Sequence, residues 1–435
     1  MTTELARFTQ WAEEQPQRRY TALMGMLADR EGLRESFERQ DGRKAPGVDG
    51  VRKAEYEQGV EDRLDQLSAR LRRMGHRPKP VRRAYLKKPT GGRRPLGLPS
   101  FEDRIVQDRV SRILQAIWEP EFRECSYGFR PGRSAHQALA RVNQIITGER
   151  TQWVVEADVK SFFDSVDHEH LMRFVAHRVG DANLLRIIRR FLKAGVLEDG
   201  AFHASEQGTP QGGLVSPVLA NIYLHYVLDV WFERRFARQC EGKAHLVRYA
   251  DDFVACFEFE RDARQFLEQL QERLGAFGLG VEPSKTSLLR FGVMARALCR
   301  REGLRRPASF SFLGFTHYVH TSRGGGFVLG RKTQRERLRK KLQAFSLRVA
   351  ALRHHGVKLM QRYVRQHLMG HIQYYGVSGN SRSLRQYLFQ ASRILFKWLN
   401  RRSQRRSITW ARYGPWLQGW LPRARIVHAL AVSAL

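Results

Sequence analysis

Apolar and polar positions recur along the chain with two different periods. Over the last hundred residues the period is helical. Leu338, Leu342, Phe345, Val349 and Leu352 follow one another at spacings of four and three, and Leu384, Leu388, Ala391, Leu395 and Trp398 do likewise. These are the apolar seams of amphipathic helices. In the middle of the chain, short apolar runs alternate with helical ones. WVVEAD (153–158) is a β-rich run that ends in an acid, LVRYADDFVACF (246–257) predicts two strands around a pair of aspartates, and FSFLGFTHYV (310–319) predicts another strand pair. Ser216-Pro217 predicts a helix start, with Ser at the N-cap and Pro at the first helical position. Residues 1–75 read as helical, broken by the turn-rich KAPGVDG at 44–50. RRAYLKKPTGGRRPLGLPS (82–100) predicts two strands joined by a Pro-Thr-Gly-Gly tip. A helix from Phe101 to Trp118 should follow, and then a Gly- and Arg-rich loop, SYGFRPGRSAHQAL, leading into a helix near Ser134.

Composition adds a partner to this picture. The 435 residues suit two or three packed lobes, and with 42% hydrophobic and 27% charged residues the chain is neither disordered nor short of core. Lys and Arg number 76 against 43 acids, a net charge of +33. A polyanionic partner, most simply nucleic acid, follows. The charge is concentrated: residues 331–435 carry 23 Lys and Arg and a single acid, Glu336. The basic faces of the C-terminal helices are therefore the candidates for phosphate contact. Cys125, Cys240, Cys256 and Cys299 form no CxxC, so neither a zinc site nor a disulfide framework is expected. The N-terminus has no apolar signal core, and the longest apolar stretch, Leu214 to Phe232, is interrupted by Pro217, Asn221, His225 and Asp229. It reads as a buried helix rather than a membrane span, and the cytoplasm is the expected compartment.

The candidate chemistry lies in the carboxylates. Asp251 and Asp252 sit between runs that are almost wholly apolar. Two acids at the tip of a buried hairpin need compensating charge. A divalent cation is the usual answer, and Mg2+ suits a few carboxylates completed by water and substrate phosphates. Asp158 ends another strand, and neighbouring strands would bring it beside Asp251. Three such carboxylates could hold two Mg2+ ions about 3.5–4 Å apart, one activating a hydroxyl nucleophile and one holding a triphosphate. The alternative makes Asp158 a helix cap and Asp251-Asp252 an ordinary solvated turn.

At these residues the sequence resembles a known family. RYADDFV is similar to the catalytic hairpin of reverse transcriptases. From Lys44 to Arg423 the chain resembles the reverse transcriptase–maturases encoded by bacterial group II introns. The segments 82–100, SYGFRPGRSAHQAL, VVEADVKSFFDSVDHEHL, GTPQGGLVSPVLANIYLHYVLD, LVRYADDFVACF, GVEPSKTSLL and FSFLGFTHY follow the polymerase blocks in order, and GHIQYYGVSGN and FKWLNRRSQRRSITW are similar to the maturase, or thumb, region.

The resemblance implies an α+β right-hand polymerase: N-terminal extension and fingers over 1–150, a palm with an antiparallel sheet over 151–320, and a helical thumb–maturase region over 321–435. It implies an RNA-directed DNA polymerase using two Mg2+ ions, with Mn2+ as a possible substitute. Asp158, Asp251 and Asp252 would be the metal ligands, with the Val159 carbonyl as a further one. Phe163 would be the steric gate against a ribose 2′-hydroxyl, or else a core residue. Gln211 would lie under the incoming nucleotide, with Gly212 and Gly213 permitting close backbone approach. Lys285 would protonate leaving pyrophosphate, or else be a surface lysine. Arg82, Lys88 and Arg94 would cradle the triphosphate. Arg130 and Arg133 either hold template phosphates or shape their loop. The implied partners are intron RNA, an RNA template, a DNA primer or target and deoxynucleotides, with no membrane; the sequence leaves the oligomeric state open. No cysteine follows Cys299, so the zinc-supported nuclease of larger members is not expected, and insertion would depend on exposed single-stranded DNA or a replication primer. Two other readings stay open: a splicing factor that binds RNA without polymerising, and a polymerase domesticated for phage defence or DNA repair.

Overall fold

A computed structural model describes residues 3–87, 93–148, 150–209, 212–322, 324–402 and 408–430. The chain divides into two units, each assembled from separate segments. The first comprises Met1–Ala135, Ala157–Phe253 and Arg264–Ser287; the second comprises His136–Glu156, Val254–Ala263 and Leu288–Leu435.

Eleven strands occur among the described residues: β1 (Val81–Lys87), β2 (Arg93–Leu98), β3 (Trp153–Asp158), β4 (Val196–Glu198), β5 (Ala201–His203), β6 (Ala244–Tyr249), β7 (Asp252–Phe257), β8 (Ser287–Arg290), β9 (Ser309–Phe312), β10 (Phe315–Thr321) and β11 (Phe327–Thr333). They form three sheets, ordered β2-β1-β4-β5, β6-β7-β3-β8 and β11-β10-β9. The strands expected at 82–100, 153–158, 246–257 and 310–319 are all present. The Pro-Thr-Gly-Gly tip lies outside the described residues.

In the first unit, a helix over Phe101–Trp118 has Ser100 as its N-cap, the Ser hydroxyl accepting from the Asp103 amide. This helix is buried along most of its length and is packed by helices Thr3–Glu14 and Arg30–Glu38. The apolar stretch after residue 214 is buried, as its composition predicts. It is helical from Ser216 to Leu224 and continues through two π-helical turns, His225–Asp229 and Phe232–Phe236. The start of this helix differs by one residue from the sequence expectation. Val215 occupies the cap position and Ser216 is already helical. Pro217 accordingly falls in the second turn position, where its missing N–H still costs no helical bond.

The second unit contains the C-terminal helices Arg335–Leu352, Val357–Tyr375, Ser381–Asn400 and Trp410–Gln418. Phe345, Val349, Leu352, Leu384, Leu388, Ala391 and Leu395 are buried along the predicted seams. Asn380 fixes the turn in GVSGN: its side-chain carbonyl accepts from the Thr333 amide at 2.9 Å and its amide donates to the Tyr375 carbonyl at 2.9 Å. Among the described residues, no helix is long and apolar enough to cross a membrane.

Candidate active site

The boundary between the units passes through β3, β7 and β8, and the strand ends that carry the aspartates belong to the first unit. At the other end of this pair, the Gln152 amide donates to the Phe257 carbonyl at 2.9 Å, so β3 and β7 run antiparallel. A pairing continued at that register along both strands would set Asp158 opposite Asp251. The β6–β7 hairpin turns through Ala250 and Asp251, and Asp252 is the first residue of β7. Ala250 has φ 59°, a left-handed conformation costing a residue with a Cβ about 1–2 kcal/mol. Asp158, Asp251 and Asp252 are all half-buried.

A fourth charged group joins them. GVEPSK runs beside the end of β3: the Lys160 amide donates to the Gly280 carbonyl and the Glu282 amide to the Asp158 carbonyl, both at 2.8 Å. Val159 faces Val281 between these two bonds, which leaves its own carbonyl out of that ladder. The following 3-10 turn, Pro283–Lys285, brings the Lys285 ammonium onto the Asp158 carboxylate. Donating a hydrogen bond to Asp158 raises the Lys285 pKa, partial burial opposes it, and the charges of Asp158 and Asp251 add to the rise. One ammonium therefore senses both carboxylates, which agrees with the register argument. Among the described residues, no three His, Cys, Asp or Glu side chains converge closely enough to hold a metal ion. The donor set is nevertheless oxygen-only and anionic, the chemistry a hard divalent cation requires.

The remaining sequence candidates scatter. Phe162 is buried, whereas Phe163 is half-exposed and stands edge-on to it at 5.4 Å. The Phe163 carbonyl accepts from the Thr209 amide at 2.7 Å, which ties the gate candidate to the start of TPQGG. Gln211 lies outside the described residues. Gly212 has φ 114°, and a Cβ there would sit 2.5 Å from the Gly97 carbonyl oxygen. The close approach that the glycine permits in this structure is to β2. Arg82 donates to the Pro46 carbonyl from two nitrogens, at 2.7 and 3.2 Å, which binds β1 to the KAPGVDG turn. Lys88 lies outside the described residues, as does the side chain of Arg94 on β2.

For the GFRPGR loop the structure decides between the two roles for Arg130. Its guanidinium is buried and donates to Glu119 and to the carbonyls of Arg123 and Ser126, so it shapes the loop. Arg133 pairs with Glu124 at 2.7 Å on the surface. Arg248, Asp229, Asn221 and Ser126 form a buried group behind the hairpin that sequence reasoning did not single out. Its signal was present: a lone arginine within an apolar strand.

The family model described as reverse transcriptase (RNA-dependent DNA polymerase) matches residues 86–317, more than half of the chain. The chain belongs to this family. Its fold is accordingly an α+β polymerase fold, and its similarity lies with the group II intron type. It is 43% identical over 166 residues to the group II intron-encoded protein LtrA of Lactococcus lactis, covering 38% of this chain and 27% of that protein. It is 38% identical over 245 residues to protein YkfC of Escherichia coli, covering 55% of this chain and 63% of that one. The chain thus spans less than two thirds of the length of either relative. A solved telomerase structure from Candida albicans, complexed with a fragment of telomeric RNA, overlaps at a TM-score of 0.45 and 12% identity, covering 82% of this chain and 64% of that one. A likeness that loose carries no functional argument.

Proposed function

We propose that this protein is an RNA-directed DNA polymerase that copies an RNA template from a DNA primer in the cytoplasm, and that it also binds intron RNA to assist splicing and mobility. The observation that carries the proposal is the Lys285 ammonium seated on the Asp158 carboxylate, with the charge of Asp251 acting on the same ammonium, inside a chain of the reverse transcriptase family. Asp158, Asp251 and Asp252, with the Val159 carbonyl, would hold two Mg2+ ions, which would supply charge neutralisation at the primer hydroxyl and the triphosphate. Mn2+ would fit the same oxygens.

This chain's own residues would do the rest. Lys285 holds its proton firmly beside two carboxylates, so it arrives charged and within reach of the leaving group. Phe163, half-exposed where Phe162 is buried, would stand against the sugar of the incoming nucleotide. Fingers over 1–150, palm over 151–320 and thumb over 321–435 would present these residues. Arg94, Lys88, Gln211 and the unused donors of Arg82 would meet the nucleotide. The basic helices after residue 331 suit an A-form backbone read by shape and phosphate position.

The test is primer extension by the full chain on an RNA template with a DNA primer, four deoxynucleotides and Mg2+. Extension is expected, with none in chelator. RNA binding without incorporation would favour a splicing factor that does not polymerise.

A further inference from the structure

Arg248 precedes the aspartate pair by three residues, between Val247 and Tyr249 on β6. Its side chain is fully buried. Such a group is costly unless paired and fully hydrogen-bonded, and here it is both. Its Nε and Nη2 grip the two oxygens of Asp229, itself fully buried, at 2.7 and 2.5 Å. Nη2 also donates to the Ser126 hydroxyl at 2.8 Å. Nη1 donates to the Asn221 side-chain carbonyl at 3.1 Å and to the Ala250 backbone carbonyl at 2.9 Å.

The last of these contacts matters most. Ala250 is the left-handed residue of the turn, and its carbonyl belongs to the peptide from which Asp251 emerges. A guanidinium bonded there fixes that peptide plane. The other partners anchor the guanidinium to one long helix and to the SYGFR loop. Asp229 ends the first π-helical turn, and π-turns inside helices recur at functional sites. Asn221 lies about two turns earlier on the same helix and donates from its amide to the Gly128 carbonyl at 2.7 Å. Ser126 comes from the SYGFR loop. Its neighbours bracket the arginine's backbone: the Arg248 amide donates to the Cys125 carbonyl at 2.7 Å, and the Tyr127 amide donates to the Arg248 carbonyl at 2.9 Å. Gly128 then lies so close under the turn that a Cβ would sit 2.4 Å from the Ala250 nitrogen. The turn is braced from behind by one arginine and from below by one glycine.

We infer that Arg248 is a positioning residue for catalysis: neutralised by Asp229 and anchored by Asn221 and Ser126, it holds the Ala250 carbonyl and so sets where the Asp251 carboxylate points. The inference rests on the proposal that Asp251 serves the polymerase reaction. Burial works against the charge of Arg248, but Asp229 overrides it and raises the arginine's pKa, so the brace stays cationic at every working pH. Lysine cannot replace it, because a point charge lacks the fork that reaches Asp229, Ser126, Asn221 and Ala250 at once.

The experiment compares primer extension by the full-length wild type, Arg248→Lys, Asp229→Asn and Asp251→Asn, with Mg2+ titrated and with melting temperature and RNA affinity recorded for each. A misplaced carboxylate should raise the Mg2+ concentration for half-maximal rate and lower kcat on the order of a hundredfold in Arg248→Lys and Asp229→Asn, with RNA affinity at wild-type level. A purely structural arginine would change the amount of folded protein and leave the Mg2+ dependence of the folded fraction alone. That result in Arg248→Lys overturns the inference. Should Arg248→Lys not fold, Ser126→Ala and Asn221→Ser each remove a single anchor; a raised Mg2+ requirement in them supports the inference, and wild-type Mg2+ dependence in both overturns it. Extension retained by Asp251→Asn would overturn the catalytic reading itself, and this inference with it.

Discussion

Phe162 and Phe163 are adjacent phenylalanines with different surroundings. The first is buried, 6.3 Å from the Tyr223 ring; the second is half-exposed at the end of the segment that follows Asp158. A ring that packs nowhere fully is available to a substrate. Phe163→Ala should therefore raise the use of ribonucleotides relative to deoxynucleotides on the order of a hundredfold, read as the ratio of kcat/KM for ATP and dATP. An unchanged ratio would return Phe163 to the core. At this scale the sequence was most legible where chemistry and spacing coincide: Asp158 ends an apolar strand, Asp252 begins one and Asp251 stands in the turn before it, which made them candidates. Lys285 sits 127 positions from Asp158, and no local pattern joins the two. Arg248 was visible only as an interruption of apolar character. Its meaning needed four partners drawn from residues 126 to 250.

Elements were legible in proportion to their length and period. The helix over Phe101–Trp118 was expected at those bounds, and the structure caps it with Ser100. The hairpin β4–β5 was not expected. Each of its strands has three residues, too few for a period, although Asp199-Gly200 between them, at φ 50° and 85°, is a strong turn signal. Strand β11 was absorbed into the helical reading of the C-terminal region, and it pairs with β10 over seven residues. The helices beyond it were read correctly, but their histidines were not. His371 is buried, stacked on Tyr387 at 3.6 Å, and neither of its ring nitrogens has a hydrogen-bond partner among the described residues. Burial first, then Lys341 and His367, pushes its pKa down to about 2 from 6.5. His367 is pushed down to about 4 by burial and Lys341. Below pH 6.5 the unfolded chain binds protons at these positions before the folded chain does, so stability falls as pH drops from about 6.5 to 4, and His371 extends the fall lower. Each site contributes at most about 1.4 kcal/mol per pH unit. Melting temperature followed from pH 7.5 to 5 should decline, and His371→Phe should flatten the decline. Identical slopes would contradict the burial argument.

On the scale of the whole molecule, the positive charge is unevenly distributed. The matched family region ends at residue 317, and the dense basic helices lie beyond it. If those helices grip phosphates, RNA affinity should collapse with salt. Six contacts would lose about a thousandfold between 50 and 200 mM, measured by filter binding, and a flat salt response would contradict a phosphate-led grip. Composition alone pointed to a polyanionic partner, because an excess of 33 positive charges needs no fold to be read. The interleaving of segments 1–135, 157–253 and 264–287 in one unit was beyond it, since apolar periodicity is blind to which strands become neighbours. The account stands on the three carboxylates. The most direct measurement is primer extension by Asp158→Asn, Asp251→Asn and Asp252→Asn on an RNA template, beside RNA affinity for each. Extension should fall at least about a hundredfold in each variant while RNA affinity stays at wild-type level. Extension that survives Asp251→Asn would contradict the account.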